Sequence, residues 1–483
     1  MDLSHDACYR IICQRDPRFD GRLFTAVKTT GVYCRPICPA RTPLSKNVIF
    51  FPTAAAAQEA GFRPCLRCRP ETAPDLGAWR GASNTVSRGL FLIEEGALDE
   101  ASVDDLASRL GVGERQLRRL FRKHLGASPL AVAQTRRVLL AKKLIAETRL
   151  TMAEIAFASG FSSIRRFNET FQQLFSRPPA ELRRAALAVG PAGETGEITL
   201  TLPYKPPYDW AAMAAFLADR AIEGVETVEE RLYSRTLRLG EAVGTVRVAP
   251  GEGDFLRASV RLSVLSELPS VISRLRRVFD LSCDPGPIAA HLASDERLAP
   301  LLAERPGLRT PGAWDGFELA CRAVLGQQVS VKAAARLAAR LVAEIGEALP
   351  FPAGDLARTF PTTGVTAAAD LSFMPMPRAR AATLTAIAEA FEADPHLLSG
   401  QMDLEEATRR LGAIKGIGAW TAQYIALRQL RLPDAFPAQD VGLMRALTPK
   451  DGRRPSAKEV LELAEPWRPW RAYAAQHLWA ALA

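Results

Sequence analysis

Four cysteines between positions 34 and 68 have the spacing of a tetrahedral metal site. Three residues separate Cys34 from Cys38, two separate Cys65 from Cys68, and 26 residues lie between the pairs. Two such pairs allow two short turns to present four thiolates to one Zn²⁺. A closed structural site is one interpretation. A metal-bound sulfur also stays deprotonated at neutral pH, so one of the four could act as a nucleophile.

A second group of residues with useful chemistry lies near the C-terminal end. The sequence LGAIKGIGAWTA at 411–422 contains three glycines, of which Gly416 and Gly418 allow a tight turn with exposed backbone N–H groups at a helix start. Such groups could hold a DNA phosphate. Asp440 follows in FPAQDV at 436–441, and a buried carboxylate can stabilise an oxocarbenium-like sugar. The alternative for the two glycines is an ordinary inter-helix turn. The alternative for Asp440 is a helix N-cap.

Composition indicates a large protein whose positive charge is concentrated in one segment. The chain has 483 residues, is 48% hydrophobic and carries a net charge of +9. Residues 101–190 contain 16 Lys and Arg against 7 Asp and Glu, an excess equal to that of the whole chain. A basic segment with helical periodicity is typical of a nucleic-acid-binding fold.

Other features of the composition favour a cytoplasmic protein. No apolar run reaches membrane-spanning length, and the N-terminal residues lack a secretion signal pattern, so we expect no membrane partner. A reducing compartment also suits a thiolate metal site. The remaining cysteines form no framework and are interpreted as buried or incidental thiols: Cys8, Cys13, Cys283 and Cys321.

The basic segment has the pattern of two helix-turn-helix units. Residues 103–122 predict two short helices separated by the turn glycines Gly111 and Gly113, and 151–171 repeat the plan around Gly160. A long helix near 134–147 is predicted to join them. Two linked units can enter successive major grooves.

After the basic segment, the predicted secondary structure changes twice, first to an α+β unit and then back to helices. Residues 189–196 contain Gly and Pro and predict a linker. Alternating segments at 198–202 and 256–262 predict strands, with a helix at 210–222, and helices return from 269. We therefore expect a multidomain, mostly α protein with small α+β units. The expected domains are a zinc-binding α+β domain at 1–80, an all-α double helix-turn-helix domain at 84–187, an α+β subdomain at 197–267 and an all-α domain at 268–483.

The segments TTGVYCRPIC at 29–38 and GFRPCLRC at 61–68 resemble the N-terminal domain of the Ada family over residues 3–80. The resemblance implies that Cys34 accepts a methyl group from a methylphosphotriester in the DNA backbone. It also implies that a set of polar and basic residues faces phosphates: Thr30, Arg35, Arg41, Arg63 and Arg67. A solvated basic surface is the alternative for each of these side chains.

The sequence AFASGF at 156–161, the later Phe167 and Phe171, and SRPP at 176–179 resemble the AraC-type DNA-binding domain over 84–187. By position, residues of both units could face base edges: Arg115, Gln116, Arg118, Arg119, Ser163, Arg165, Arg166 and Asn168. The arginines could equally be phosphate clamps, which position a protein without reading sequence. The phenylalanines are expected in the core.

The hairpin and Asp440, with WDGFE at 314–318, LGQQVS at 325–330 and WRAYAAQHLW at 470–479, resemble the AlkA family of helix-hairpin-helix DNA glycosylases over 197–483. The resemblance implies that Asp440 is catalytic and that Trp420, Tyr424 and Trp479 line the pocket for a flipped base, for which core packing is the alternative. It implies DNA contacts at Gly416 and Gly418, with a monovalent cation at the hairpin.

Three differences between this sequence and the patterns of related glycosylases lead to further expectations. Gln328 stands where the AlkA pattern has a leucine that fills the gap left by the flipped base, so the mode of intercalation is open. Trp420 occupies the position of the Schiff-base lysine of bifunctional relatives, which predicts a glycosylase without lyase activity. No cysteine follows Cys321, which excludes the iron–sulfur cluster of some relatives.

Together these resemblances imply a bacterial DNA alkylation-repair and adaptive-response regulator. It would accept methyl groups at Cys34, activate transcription and hydrolyse the glycosidic bond of alkylated purines such as 3-methyladenine. The expected partners are RNA polymerase and double-stranded DNA, the latter both as damaged DNA and as promoter DNA. The protein itself is expected to be a monomer associated with the nucleoid. Two alternatives stay open: a regulator whose glycosylase-like half only holds DNA, and a repair enzyme without a transcriptional role.

Overall fold

The computed structural model describes residues 4–74, 84–186, 197–398, 402–449 and 452–482. The chain forms two compact units, one of residues 1–204 and 264–273, the other of residues 205–263 and 274–483. In the described ranges, no helix combines the length and apolar character needed to cross a membrane. The predicted linker at 189–196 lies outside the described residues.

In the N-terminal part of the chain a small mixed sheet precedes a series of helices. The elements up to residue 203 are α1 His5–Gln14, β1 Phe24–Val27, β2 Val32–Cys34, β3 Val48–Phe51, α2 Ala54–Glu59, β4 Arg63–Pro64, α3 Asn84–Glu94, α4 Ala97–Glu100, α5 Val103–Arg109, α6 Glu114–Leu125, α7 Pro129–Glu147, α8 Met152–Ala158, α9 Ile164–Phe175, α10 Pro179–Ala186 and β5 Ile198–Pro203.

The rest of the chain begins with strands and continues mainly as helices. Its elements are α11 Trp210–Ala218, β6 Glu226–Glu229, β7 Leu232–Leu239, β8 Ala242–Pro250, β9 Phe255–Leu262, α12 Leu268–Val278, α13 Pro285–Leu292, α14 Ala299–Glu304, α15 Gly316–Leu325, α16 Val331–Ile345, β10 Ala348–Ala353, β11 Leu356–Arg358, α17 Thr363–Ala368, α18 Arg378–Ala393, α19 Leu404–Gly412, α20 Ala419–Arg428, α21 Val441–Ala446, α22 Ala457–Ala464 and α23 Arg471–Ala480. The predicted class, multidomain and mostly α with small α+β units, is confirmed.

The N-terminal sheet has the strand order β3-β1-β2-β4. Strand β1 pairs antiparallel with β2 and β3, whereas the two-residue β4 pairs parallel with β2. The sheet packs Phe24, Ala26 and Tyr33 into a small core with Ala57 of α2.

Both helix-turn-helix units form where the sequence predicts them. Helix α5 starts at the capping box of Ser102 and Asp105, and α8 at that of Thr151 and Glu154. The turn glycine Gly160 has φ 87°, in the left-handed region that favours glycine. The joining helix α7 begins at Pro129, five residues before the predicted start, because Ser128 caps it and proline suits a first helical position.

Each second helix buries one apolar stripe of period four. In α6 the buried residues are Leu117, Phe121 and Leu125, and in α9 they are Phe167, Phe171 and Phe175. The expectation that the phenylalanines are core residues holds for these and for Phe161, but it is wrong for Phe157, which is 46% exposed. Phe157 lies on α8 next to the buried Ile155, Ala156 and Ala158, and the packed face of this short helix leaves its ring in solvent.

In the second unit, strands β6 to β9 pair antiparallel in sequence order. Helix α11 ends at Ala218 with Asp219 as its C-cap, so it is shorter than the predicted 210–222. A large apolar core then joins α15, α16, α18 and α20. This core fixes the end of the hairpin loop at 413–418 and the start of α20, which together position the candidate base-binding residues.

Candidate functional sites

Parallel pairing of β2 with β4 brings the two cysteine pairs together. Tyr33 is opposite Pro64, so the next residues, Cys34 and Cys65, leave adjacent strands side by side. The sulfurs of Cys34, Cys38, Cys65 and Cys68 all lie within 4.8 Å of one another. Four thiolates at this separation suit tetrahedral Zn²⁺, for which sulfur–sulfur distances of about 3.8 Å follow from Zn–S bonds of about 2.3 Å.

The backbone also favours thiolates at this centre. The N–H of Arg35 donates to Cys68 Sγ at 3.3 Å, and the N–H of Arg67 donates to Cys65 Sγ at 3.3 Å. Donors aimed at sulfur stabilise its anionic form. The four predicted ligands therefore form one centre, and its cofactor is zinc.

The four sulfurs differ in how well a DNA backbone could approach them. Cys65 and Cys68 are buried at 8% exposure each, whereas Cys34 and Cys38 are half-buried. An external methyl carbon must reach the attacking sulfur from outside the cluster. Accessibility therefore restricts a nucleophilic role to Cys34 and Cys38, and the assignment to Cys34 stays a prediction.

The residues predicted to face phosphates divide into two groups. Thr30, Arg41 and Arg67 are exposed and Arg63 is half-buried. Arg35 is different, because its guanidinium forms an ion pair with Asp20 and donates to Thr72 Oγ1 at 2.6 Å. Asp20 is a site residue that the sequence does not predict, because nothing in its local pattern distinguishes it from a turn residue.

The predicted base-facing residues lie on the two second helices of the helix-turn-helix units. Seven are exposed: Arg115, Gln116, Arg118, Arg119, Arg165, Arg166 and Asn168. Ser163 instead caps α9, where its Oγ accepts the Arg166 N–H at 3.2 Å. Two of the arginines form i,i+4 ion pairs, Arg118 with Glu114 and Arg165 with Glu169. Exposed pairs of this kind contribute little stability, so both arginines can exchange these partners for DNA at small cost.

Asp440 has three hydrogen-bond donors around its carboxylate. It is the N-cap of α21, with Oδ1 accepting the Leu443 N–H at 3.0 Å. In addition, Nε1 of Trp479 donates to Oδ1 at 2.8 Å and Nε1 of Trp420 donates to Oδ2 at 2.8 Å. An aspartate with a purely capping role would not need two indole donors. The N-cap interpretation is thus correct but incomplete.

The predicted pocket residues form an aromatic group beside this carboxylate. Trp420 and Tyr424 stack with ring centroids 5.1 Å apart and planes 9° from parallel. Two further members of the group, Arg428 and Phe216, were not predicted from the sequence. Arg428 contacts the rings of Tyr424 and Trp479, and Phe216 of α11 lies against Arg428 as well. One signal for Arg428 was available in the sequence. Residues four apart on a helix lie on the same face, and α20 has Trp420, Tyr424 and Arg428 at this spacing.

The hairpin adopts the turn that its glycines allow. Gly416 has φ 94°, and Gly418 is the N-cap of α20, whose first N–H groups have no side-chain cap. The loop before α16 is attached to this turn, because Nε2 of Gln327 donates to the Gly416 carbonyl at 3.1 Å and to Thr421 Oγ1 at 3.3 Å. The adjacent Gln328 is exposed with φ 58°, an uncommon conformation for a non-glycine residue. These contacts hold the predicted wedge position and the hairpin in one arrangement.

Gly416→Ala is expected to destabilise the protein by about 2–4 kcal/mol, from left-handed strain together with a steric clash. A Cβ at this position would fall under 3.0 Å from three side-chain atoms of Thr383, a largely buried residue. Urea unfolding measures the effect. Gly412→Ala is the matched control, since a Cβ there meets nothing within 4 Å and alanine favours its helix. Equal stability of the two variants would contradict this account of the hairpin.

The fold and the sites define a class of protein: a DNA-binding repair protein that joins a four-thiolate metal centre, paired helix-turn-helix units and a helix-hairpin-helix site with a carboxylate. Family models match in the same order, the metal binding domain of Ada at 7–71, a helix-turn-helix domain at 106–185 and the AlkA N-terminal domain at 199–315.

Known proteins resemble the chain over its whole length or over 58% of it. The "probable bifunctional transcriptional activator/DNA repair enzyme AlkA" of Mycobacterium tuberculosis is 41% identical over 484 residues, 100% of this chain and 97% of the relative. The DNA-3-methyladenine glycosylase 2 of Escherichia coli is 39% identical over 287 residues, 58% of this chain and 96% of the relative. The solved 3-methyladenine DNA glycosylase of Archaeoglobus fulgidus is 25% identical, with a TM-score of 0.52, over 58% of this chain and 97% of that one. The chain belongs to the family of bifunctional transcriptional activator/DNA repair enzymes AlkA.

Proposed function

We propose that this protein repairs alkylated DNA in two ways and regulates transcription in response to the damage. Cys34 accepts methyl groups from backbone methylphosphotriesters, the helix-turn-helix units bind promoter DNA, and Asp440 supports hydrolysis of the glycosidic bond of alkylated purines such as 3-methyladenine. One observation carries the enzymatic half: both carboxylate oxygens of Asp440 accept indole N–H groups beside a stacked aromatic pair.

Methyl transfer requires a thiolate that can reach the methyl carbon. When bound, zinc keeps the four sulfurs deprotonated at neutral pH. The Cys34 sulfur attacks the methyl carbon, a C–S bond forms, and the C–O bond breaks with its electron pair left on the phosphate oxygen. The products are S-methylcysteine and an ordinary phosphodiester. Thr30, Arg41, Arg63 and Arg67 hold the neighbouring phosphates, so that the triester is presented to the sulfur.

Methylation changes the electrostatics of the domain. Four thiolates and one Zn²⁺ carry about two excess negative charges, and methylation of one sulfur removes about one of them. Repulsion toward DNA phosphates then falls, and the protein binds promoter DNA more tightly through α6 and α9. The methylated protein is the activator, acts as a monomer on the bacterial nucleoid in the cytoplasm, and recruits RNA polymerase.

Base excision uses a charge that is already present on the substrate. An N3- or N7-alkylated purine is cationic, so the base departs as a neutral molecule once the C1′–N bond breaks with its electron pair on the base. Asp440 stabilises the oxocarbenium-like sugar, and water then adds at C1′ and loses a proton. Trp420 and Trp479 orient the carboxylate, and with Tyr424 they contact the flipped base. With tryptophan at position 420 no Schiff base forms, so the product is an abasic site.

DNA is held by backbone and loop residues around this pocket. The N–H groups at Gly416 and Gly418 bind a phosphate, supported by a monovalent cation at the hairpin. Gln328 enters the duplex at the position of the flipped nucleotide. Its left-handed backbone and exposed side chain project from the loop that Gln327 attaches to the hairpin. A polar wedge can hydrogen-bond to bases as well as fill the gap.

The experiment combines three readouts on the purified full-length protein. Chromatography of free bases released from methylated duplex DNA tests the glycosylase, and label transferred from a methylphosphotriester oligonucleotide tests the acceptor. A reporter with and without methylating agent tests activation. We expect release of 3-methyladenine, one methyl per chain and induced expression. If no base were released, the glycosylase hypothesis would be rejected in favour of a regulator that only holds DNA. If expression were unchanged, the regulatory hypothesis would be rejected in favour of a repair enzyme alone.

A further inference from the structure

Helix α7, which joins the two helix-turn-helix units, is held near both of its ends by residues of the zinc-binding domain. At its start, the carboxylate of Glu59 accepts the Ser128 N–H at 3.1 Å and the Ser128 hydroxyl at 2.7 Å. Near its end, Nζ of Lys142 donates to the Cys65 carbonyl at 2.9 Å and to Glu71 Oε2 at 2.6 Å. Ser128 and Lys142 are 14 residues apart in sequence, which corresponds to about 21 Å along a helix. The zinc-binding domain therefore fixes both the position and the direction of α7.

The contact at the start of α7 depends on α2. Glu59 is the last residue of α2, and Ala56 of the same helix packs with Ala127. The N-cap of α2, Thr53, donates from Oγ1 to the Leu125 carbonyl at 2.8 Å. None of these residues is a ligand of the metal centre. The start of α7 is therefore an internal reference for its other end.

The contact near the end of α7 is a buried ion pair beside the metal centre. Lys142 is 5% exposed and Glu71 is 8% exposed. Two of the three N–H donors of the ammonium group have acceptors here, Glu71 and the carbonyl of the metal ligand Cys65. A buried cation that loses its acceptors is strongly destabilising. The Cys65 carbonyl and Glu71 must therefore keep their positions for Lys142 to remain buried.

A second ion pair joins the same part of the zinc-binding domain to the last residue of α7. Arg69 directly follows the metal ligand Cys68 in sequence. Its Nε donates to Glu71 Oε1 at 3.0 Å, and its Nη2 donates to Glu147 Oε1 at 3.1 Å. The segment 65–71, the ligand loop, therefore supplies two metal ligands as well as two ionic contacts to α7.

We propose that Lys142 and Glu147 couple the zinc-loaded centre to the helix-turn-helix domain. Residues 65–69 form neither helix nor strand, so the bonds of Cys65 and Cys68 to zinc are the main constraint on the conformation of the ligand loop. Helix α8, the first helix of the second unit, begins five residues after α7 ends. Loss of zinc therefore releases the end of α7 together with the second unit, and the recognition helices α6 and α9 lose the fixed separation that binding to successive grooves requires.

Thermodynamic linkage makes such a coupling reciprocal. If zinc stabilises the contacts between the ligand loop and α7, the same contacts strengthen zinc binding by the same factor. A factor of about 10 lies within the range typical of coupled sites. An ion pair with a merely structural role would change the free energy of unfolding of the protein without changing the zinc affinity of its folded state. Zinc affinity and the local stability of α7 therefore have to be measured together.

The test compares the full-length wild type with the double variant Lys142→Met/Glu71→Gln, which removes both members of the buried pair and leaves neither charge buried alone. Zinc affinity is measured by competition with a chromophoric chelator, and we expect it to be about 10-fold lower in the variant. Hydrogen exchange is measured with and without zinc. Zinc should slow exchange at 138–147 about 10-fold more in the wild type than in the variant. Exchange at 132–136, near the Glu59 contact, should differ by less than about twofold between the two zinc-loaded proteins.

Two results would overturn the proposal. One is a zinc affinity of the double variant within about twofold of the wild type, and the other is an equal effect of zinc on exchange at 138–147 in both proteins. Lys123→Met is the matched control, because Lys123 is exposed on α6 and lies outside the contacts with the ligand loop. This control should leave both quantities within about twofold of the wild type.

Loss of folding must not decide the result. If the double variant does not fold, Glu147→Gln serves instead, since glutamine keeps a hydrogen-bond acceptor for Arg69 but removes the ion pair. Both quantities should then shift in the same direction by about threefold, and unchanged values would reject the proposal. None of these measurements involves methyl transfer, so failure of the Cys34 assignment and failure of this coupling are separate outcomes.

Discussion

Asp440→Asn is expected to lower the maximal rate of base release by about 10³-fold, the size typical of losing one preorganised electrostatic group. The variant removes the negative charge that faces the sugar cation. It also places an amide NH₂ opposite one of two indole donors, Trp420 Nε1 or Trp479 Nε1, which then loses its acceptor. Release of 3-methyladenine and 7-methylguanine from methylated duplex DNA measures the loss.

The fold should survive this substitution. Asparagine is as good an N-cap as aspartate, so the hydrogen bond from the Leu443 N–H can persist, and the thermal midpoint should change by only a few degrees. Asp403→Asn is the matched control: Asp403 caps α19 in the same way, with its side chain accepting the Glu406 N–H, but it has no indole partner. Base release by Asp440→Asn at the wild-type rate would refute the catalytic assignment.

Cys34→Ser should abolish methyl acceptance. A serine hydroxyl is not a thiolate at neutral pH even beside a metal-bound cluster, so no nucleophile of comparable strength remains. Label from a methylphosphotriester oligonucleotide should reach about one methyl per chain in the wild type and stay at background in the variant. Zinc content is measured on the same samples, since three thiolates remain available as ligands.

Two other cysteines make this result specific. Cys13→Ser is the neutral control, because Cys13 is exposed and lies outside the four-sulfur centre. Cys38→Ser is the critical comparison, since Cys38 is half-buried like Cys34. If zinc-loaded Cys38→Ser accepted no methyl whereas Cys34→Ser still did, the nucleophile would be Cys38. Only the loss of labelling in Cys34→Ser supports the assignment made from the sequence.

The sequence was sufficient for features that depend on local pattern. The spacing of four cysteines predicted one metal centre, since two such pairs can present four thiolates to one ion from two short turns. Turn glycines between short amphipathic segments predicted both helix-turn-helix units, because left-handed turns and helical periodicity are properties of a few consecutive residues. The observed start of α7 and the observed length of α11 differ from the predicted ones, because helix ends depend on packing.

Side-chain orientation was predicted less well. Phe157 was expected in the core and is exposed, because a seven-residue helix packed on one face leaves the opposite face in solvent. The partners of Arg35 were not predicted: its guanidinium binds Asp20 and Thr72, and its contact with phosphates stays a prediction. Both partners lie at least 15 residues away, and no pattern along the chain reveals such a pair.

The amino-acid sequence by itself determined the four ligands of the metal centre, because spacing and residue type carry that information, and its resemblance to known families implied the order of the modules and Asp440 as a catalytic candidate. Only the tertiary structure decided what surrounds Asp440. The indoles of Trp420 and Trp479, which are 59 residues apart in sequence, converge on one carboxylate, and a buried arginine lies behind them. Such an arrangement depends on how α20, α21 and α23 pack around the core, and long-range packing is not encoded in any local pattern.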